Sequence, residues 1–154
     1  MTEDIRRHIV NYLPKETTYL TEDDFVFLTP DTIWEGQFNG KSFVVVAEDR
    51  WPSGLDGLFL AVTEDGSVYK GDLGDQSLIQ YCAASFRQFM EIMSAYHDVL
   101  KTHESPDVDD EEGLQRCQEE EEFLRQTINR IDSTALREDE TFWRVWIEPI
   151  GYGF

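Results

Sequence analysis

Asn39 and Gly40 stand between two aromatic and β-branched stretches, DTIWEGQF and KSFVVVAED, and no other feature constrains the fold as strongly. A two-residue loop joining antiparallel strands needs positive φ at both positions, which asparagine and glycine tolerate and most residues do not. The pair therefore predicts a tight hairpin. GLFLAV, the turn Glu64-Asp65-Gly66 and SVYKGDL predict a second, again with glycine in the turn. FVFLTP before the first hairpin and LIQYCA after the second add further short strands, while Thr17 to Asp24 and WPSGLDG read as turns and loop.

Helices flank these strands. Ile5, Ile9, Val10 and Leu13 recur at helical spacing behind Thr2, a capping residue, with Glu3 and Asp4 where the helix dipole favours acids. This short helix should stop near Pro14. Phe86, Phe89, Met90, Met93, Tyr96, His97 and Leu100 predict a longer one from near Ala84 to Lys101, with Ser85 close to its cap. His103 to Gly113 carries a proline and a run of acids, which is loop composition. A thin stripe of Leu114, Cys117, Glu121, Leu124, Ile128 and Ile131 predicts a helix over 114–131. Phe142, Trp143, Trp146, Ile147 and Ile150 predict a last short helix, stopped by Pro149 and Gly151. The expected fold class is α+β: a single domain over 1–154 with an acidic loop at about 103–113. Its sheet is mainly antiparallel, of about four to six strands, packed with N-terminal, central and C-terminal helices.

Thirteen Lys and Arg face thirty-two Asp and Glu, a net charge of −19. Nucleic acid and anionic membrane surfaces are repelled by such a chain, so neither is an expected ligand. Its 13% aromatic content sets it apart from acidic chains that stay disordered. The longest apolar runs, Phe43 to Ala47 and Leu58 to Val62, fall far short of the roughly 20 residues of a spanning helix. The N-terminus has no apolar stretch of signal-peptide type, and Cys82 and Cys117 form no CxxC pair. A cytoplasmic protein with reduced thiols is expected.

Chemistry-bearing motifs are absent: GxxxxGK[ST], GxGxxG, GxSxG and HExxH do not occur. His8, His97 and His103 lack a recognisable nucleophile partner. An EF-hand loop counted from Asp107 would place Glu112 where glycine is needed and Gln118 where a carboxylate is needed. A zinc site from Cys82, Cys117, His97 and His103 would require ligands to converge from a strand, two helices and a loop. Carboxylate pairs such as Glu48 with Asp49, or Asp72 with Asp75, arise by chance among so many acids. No catalytic residue, metal or cofactor is therefore expected. What stands out is acidity itself, since a charge magnitude of about 2–8 suffices to keep a small domain soluble. A basic partner protein would account for the excess. Asp65, Asp72 and Asp75 are the candidate acids, and Trp34, Trp51 and Tyr69 the candidate aromatic anchors, for which core packing is the competing role.

Two segments carry a family resemblance. DGLFLAVTEDGSVYKGDL, a short strand, the step into Ser85-Phe86 and the helix FRQFMEIMSAYHDVL resemble the SUKH superfamily. Cys82-Ala83-Ala84-Ser85 stands where that family usually has Asn-Ser. The tail IDSTALREDETFWRVWIEPIGYG, with Trp143 and Glu148, is similar to the fourth subgroup of bacterial SUKH immunity proteins. The resemblance implies an α+β fold and a non-enzymatic role. Such a protein binds a cognate polymorphic toxin, a nuclease or nucleic-acid deaminase, and occludes its basic substrate groove. The alternative it implies is an intracellular protein-binding adaptor or regulatory module without a toxin partner.

Overall fold

The computed structural model describes residues 3–15, 18–19, 25–49, 57–137 and 142–154. Trp51, most of the WPSGLDG loop, the capping residue Thr2 and the acids at 138–140 lie outside them. Contacts gather into two compact units, Met1–Phe89 and Met90–Phe154.

The first unit opens with helix α1 (Glu3–Tyr12), which buries Ile9. Strands β1 (Thr18–Tyr19), β2 (Phe25–Phe27), β3 (Trp34–Phe38), β4 (Lys41–Asp49), β5 (Leu58–Thr63), β6 (Val68–Asp72) and β7 (Ser77–Ala83) follow. They form one seven-stranded sheet of order β1-β2-β4-β5-β6-β7 in which every pairing is antiparallel. Four to six strands were expected. The seventh is the two-residue β1, inside a stretch whose polar composition reads as turn. β2 and β3 share one edge of β4, β3 against residues 41–45 and β2 against 47–49. Asn39 and Gly40 adopt φ of 51° and 78°, and Gly66 in the second turn has φ 90°, the positive values these hairpins require.

Both sheet faces are covered. Register places Val44 and Val62 on one side and Phe43, Val45, Phe59 and Ala61 on the other, all fully buried. Near the first set, Phe27 meets the edges of Phe86 and Phe89 at 6.4 and 6.3 Å. On the second side Phe43 and Phe59 stack at 5.5 Å, their planes 14° apart, and Leu28, Trp34, Phe38, Leu73 and Leu78 close over them. Burying each such side chain contributes about 1.5–3 kcal/mol. The last strand ends at Ala83, and the Oγ of Ser85 accepts from the Gln88 amide at 3.2 Å and so caps helix α2 (Phe86–Thr102).

Continuous through the boundary, α2 carries the chain into the second unit, which adds α3 (Glu111–Ile131) and α4 (Phe142–Gly151). The acidic loop is shorter than its composition implied. Asp110 is the N-cap of α3, its Oδ1 accepting from the Gly113 amide at 2.9 Å, and Glu111 and Glu112 form the first turn, where the helix dipole stabilises acids. Leu114, expected on the apolar stripe, is 40% exposed; Gly113, Cys117, Leu124, Thr127 and Ile128 form the buried face instead. Buried Asp132 ends α3 and accepts from the Thr134 amide and hydroxyl at 2.9 and 2.6 Å. In α4, Trp143 is fully buried, and Trp146 packs against Phe142 and Tyr96 at 5.2 and 5.6 Å. Pro149 does not stop this helix, which runs on to Gly151. The chain then turns at Gly153, φ 85°, with the Gly153 amide donating to Ile150 O.

Candidate functional site

Two successive hairpins of an antiparallel meander place their turns at the same end of the sheet, because β4 runs back from Asn39-Gly40 and β5 runs up again to Glu64. A surface cavity of about 330 Å³ opens there. It is lined by Gly40, Lys41 and Ser42 from the first hairpin, Thr63, Glu64, Asp65 and Tyr69 from the second, and Leu78 from β7. Tyr69 and Tyr81 are register partners across β6 and β7 and meet edge to face at 5.5 Å, which fixes the phenol ring on the cavity side.

Asp65 is held firmly in the turn. Its Oδ1 accepts from the Thr63 hydroxyl at 2.6 Å and the Ser67 amide at 2.9 Å. The Thr63 bond, followed by the Ser67 amide, holds the carboxyl below the usual aspartate range, so it stays ionised. Asp65 also lines a second cavity, of about 260 Å³, with Asp4, Ile5 and His8 of α1, Val62, Gly66, Ala84 and Ser85. The turn Glu64-Gly66 thus stands as an exposed acidic ridge between two hollows.

The other expected site residues lie elsewhere. Trp34 is half-buried in the aromatic cluster, its Nε1 donating to Glu48 Oε1 at 2.6 Å; packing takes most of this residue. The same bond occupies Glu48, one of the carboxylates paired by sequence with Asp49. Asp72 lies at the far end of β6, roughly 13 Å along the strand from the cavity end by its rise per residue. Its Oδ1 accepts from the Gly74 amide at 2.8 Å, and Asp75 is exposed beside it. Of the six candidates the structure brings Asp65 and Tyr69 together and leaves Asp72 and Asp75 as a separate pair. Lys41, Ser42, Thr63 and Leu78 were not singled out from sequence, and Glu64 only as part of the acidic turn. The signal for four of them was present, since both turn motifs are legible and a meander sets such turns side by side.

Of the four residues weighed as zinc ligands, Cys82 lies in the first unit and His97, His103 and Cys117 in the second. Cys82 is fully buried in β7, where burial pushes its thiol far above the ordinary range and Sγ donates to Gln80 O. His103 instead lies with Cys117 and Glu120 in the second unit. Among the described residues no helix is long and apolar enough to cross a membrane.

Fold and charge together define a class: a small, strongly acidic α+β protein built on an antiparallel sheet. Within that class, the family model for SUKH-4 immunity protein matches residues 11–149, and the chain belongs to this family. No curated protein and no solved structure matches it.

Proposed function

We propose that this protein is a non-enzymatic, cytoplasmic immunity protein that binds a cognate polymorphic toxin domain. It neutralises the toxin by laying its acidic surface over the basic substrate groove of a nuclease or nucleic-acid deaminase. The observation that carries the reading is the pairing of Asp65 and Tyr69 on one cavity, with Glu64 at its rim. An acid that stays ionised beside a rigid aromatic ring is the combination found where charged partners are anchored. Family membership supplies the partner class, and the charge of −19 supplies its sign. An interface of standard size covers about 1,600 Å² in all, so the ridge at Glu64-Gly66 and the flanking turn at Asn39-Gly40 belong to the same contact. Nucleic acid and membrane play no direct part.

Growth under expression of the C-terminal domain encoded immediately upstream, with and without this protein, tests the reading. Restored growth and co-purification are expected, and Glu64→Lys, a charge reversal at an exposed position, should weaken the complex roughly tenfold by slowing association. A neighbour that is harmless, or that kills regardless, would sink the toxin reading and leave the adaptor role in its place.

A further inference from the structure

His103, Cys117 and Glu120 converge in the second unit, with one ligand atom from each lying within 4.8 Å of the others. Cys117 and Glu120 are three residues apart on α3 and share a face, and His103 directly follows α2. The histidine side chain is 8% exposed, the glutamate side chain 17%, and Cys117 is fully buried. Hydrogen bonding around His103 decides what this trio can hold. Its Nε2 stands 2.9 Å from the main-chain oxygen of Phe154, which only accepts, so Nε2 carries the proton. Nδ1 then faces Glu120 Oε1 at 3.3 Å. In a neutral ring that sets a lone pair against a carboxylate, and a cation between them removes the conflict. A proton on Nδ1 would serve those two atoms alone. A metal ion would serve them and Cys117 Sγ as well, whose own bond is a long 3.7 Å donation to Glu104 O.

We propose that His103 Nδ1, Cys117 Sγ and the Glu120 carboxylate bind a divalent transition-metal ion, zinc being the best fit. Nitrogen, thiolate and carboxylate form a donor set for a borderline-soft, tetrahedral cation with bonds of about 2.0–2.3 Å. Neighbouring donors in such a site stand about 3.3–3.7 Å apart by that geometry. His103 and Glu120 already have this spacing, and the third donor must close by roughly 1 Å, within reach of side-chain rotation. Donation from Nε2 to an oxygen acceptor of this kind is the outer contact that metal-bound histidines ordinarily make, because it fixes the tautomer with the lone pair on the other nitrogen. Binding displaces the thiol proton to solvent, and water completes the fourth position. The ion would tie the segment after α2 to the middle of α3.

Cobalt(II) titration of the whole chain, read by thiolate-to-cobalt absorption, and thermal unfolding with and without zinc test this assignment on wild type, Cys117→Ser and Glu120→Gln. The wild type should take up one cobalt per chain, and zinc at about a hundredfold excess over its Kd should raise the unfolding midpoint by several degrees. Cys117→Ser should lose the absorption band although Cys82 is intact, and Glu120→Gln should weaken zinc binding at least about tenfold. Glu120→Gln keeps shape and size at a part-exposed position, so it reports even where Cys117→Ser unfolds. No band in the wild type, or a band and zinc shift unchanged in both variants, overturns the proposal and leaves an imidazolium–carboxylate pair.

Discussion

Phe59 lies fully buried, stacked on Phe43 and flanked by Phe38 and Trp34 at 5.9 and 6.4 Å, and its ring extends across Gly71 on the neighbouring strand. A β-carbon at Gly71 would overlap that ring. Gly36 stands in the same relation to Phe43. Two rings lying across two glycines are what let this aromatic face pack closely against its own sheet. Gly71→Ala should therefore destabilise the fold by about 1–3 kcal/mol through overpacking, because Phe59 has aromatic neighbours on either side and little room to swing. Urea unfolding measures it; a midpoint unchanged from wild type would show that the ring moves freely. Glycine inside a strand is otherwise unfavourable, yet the sequence reading singled out neither Gly36 nor Gly71. It does not say which ring approaches, because that depends on the register between strands far apart in the chain.

Among the elements, α3 shows how capping chemistry decides a boundary that composition obscures. Asp110 and the following Glu111 and Glu112 read as loop because acids crowd there, yet the Asp110 carboxylate satisfies the Gly113 amide and both glutamates sit on the positive end of the helix. Replacing Asp110 with Ala should cost about 1 kcal/mol of stability, read as a lower denaturant midpoint at unchanged slope. A loss near zero would make the cap ornamental. Pro149 misleads in the opposite direction. Proline removes one helical bond, but here the orphaned carbonyl belongs to Val145, which is 66% exposed, so water can take it. The hairpins and α2 were legible because each rests on local chemistry: paired positive φ at Asn39-Gly40 and a serine cap at Ser85. β1 was not, since two residues carry no periodicity. The candidate site was half legible. Asp65 and Tyr69 share a cavity because turn motifs are local, whereas Trp34 is drawn into the aromatic cluster and Asp72 sits at the other end of β6, placements set by strand register, which no short window contains.

For the whole molecule, two features act together: a helix that passes without interruption between compact units, and a charge of −19. Phe86 and Phe89 of α2 pack against Phe27 in the first unit, while Tyr96 of the same helix packs against Trp146 in the second. Unfolding either unit removes packing from one half of a single hydrogen-bonded helix, and helix formation is cooperative along its length. We therefore propose that the chain behaves as one domain and unfolds in one transition. The acids modify where that transition lies. At most thirteen of them can be balanced, since Lys and Arg number thirteen against thirty-two Asp and Glu, and self-repulsion among the remainder destabilises a compact state. Raising salt from about 0.01 M to 1 M shortens the screening length from about 30 Å to about 3 Å, which removes most long-range repulsion but spares close pairs such as Arg125 with Glu121 at 3.2 Å. Scanning calorimetry should show a single peak with equal calorimetric and van't Hoff enthalpies, its midpoint rising with sodium chloride. Two resolved peaks would divide the chain at α2, and a midpoint that falls with salt would mean that ion pairing outweighs repulsion despite the numerical excess of acids.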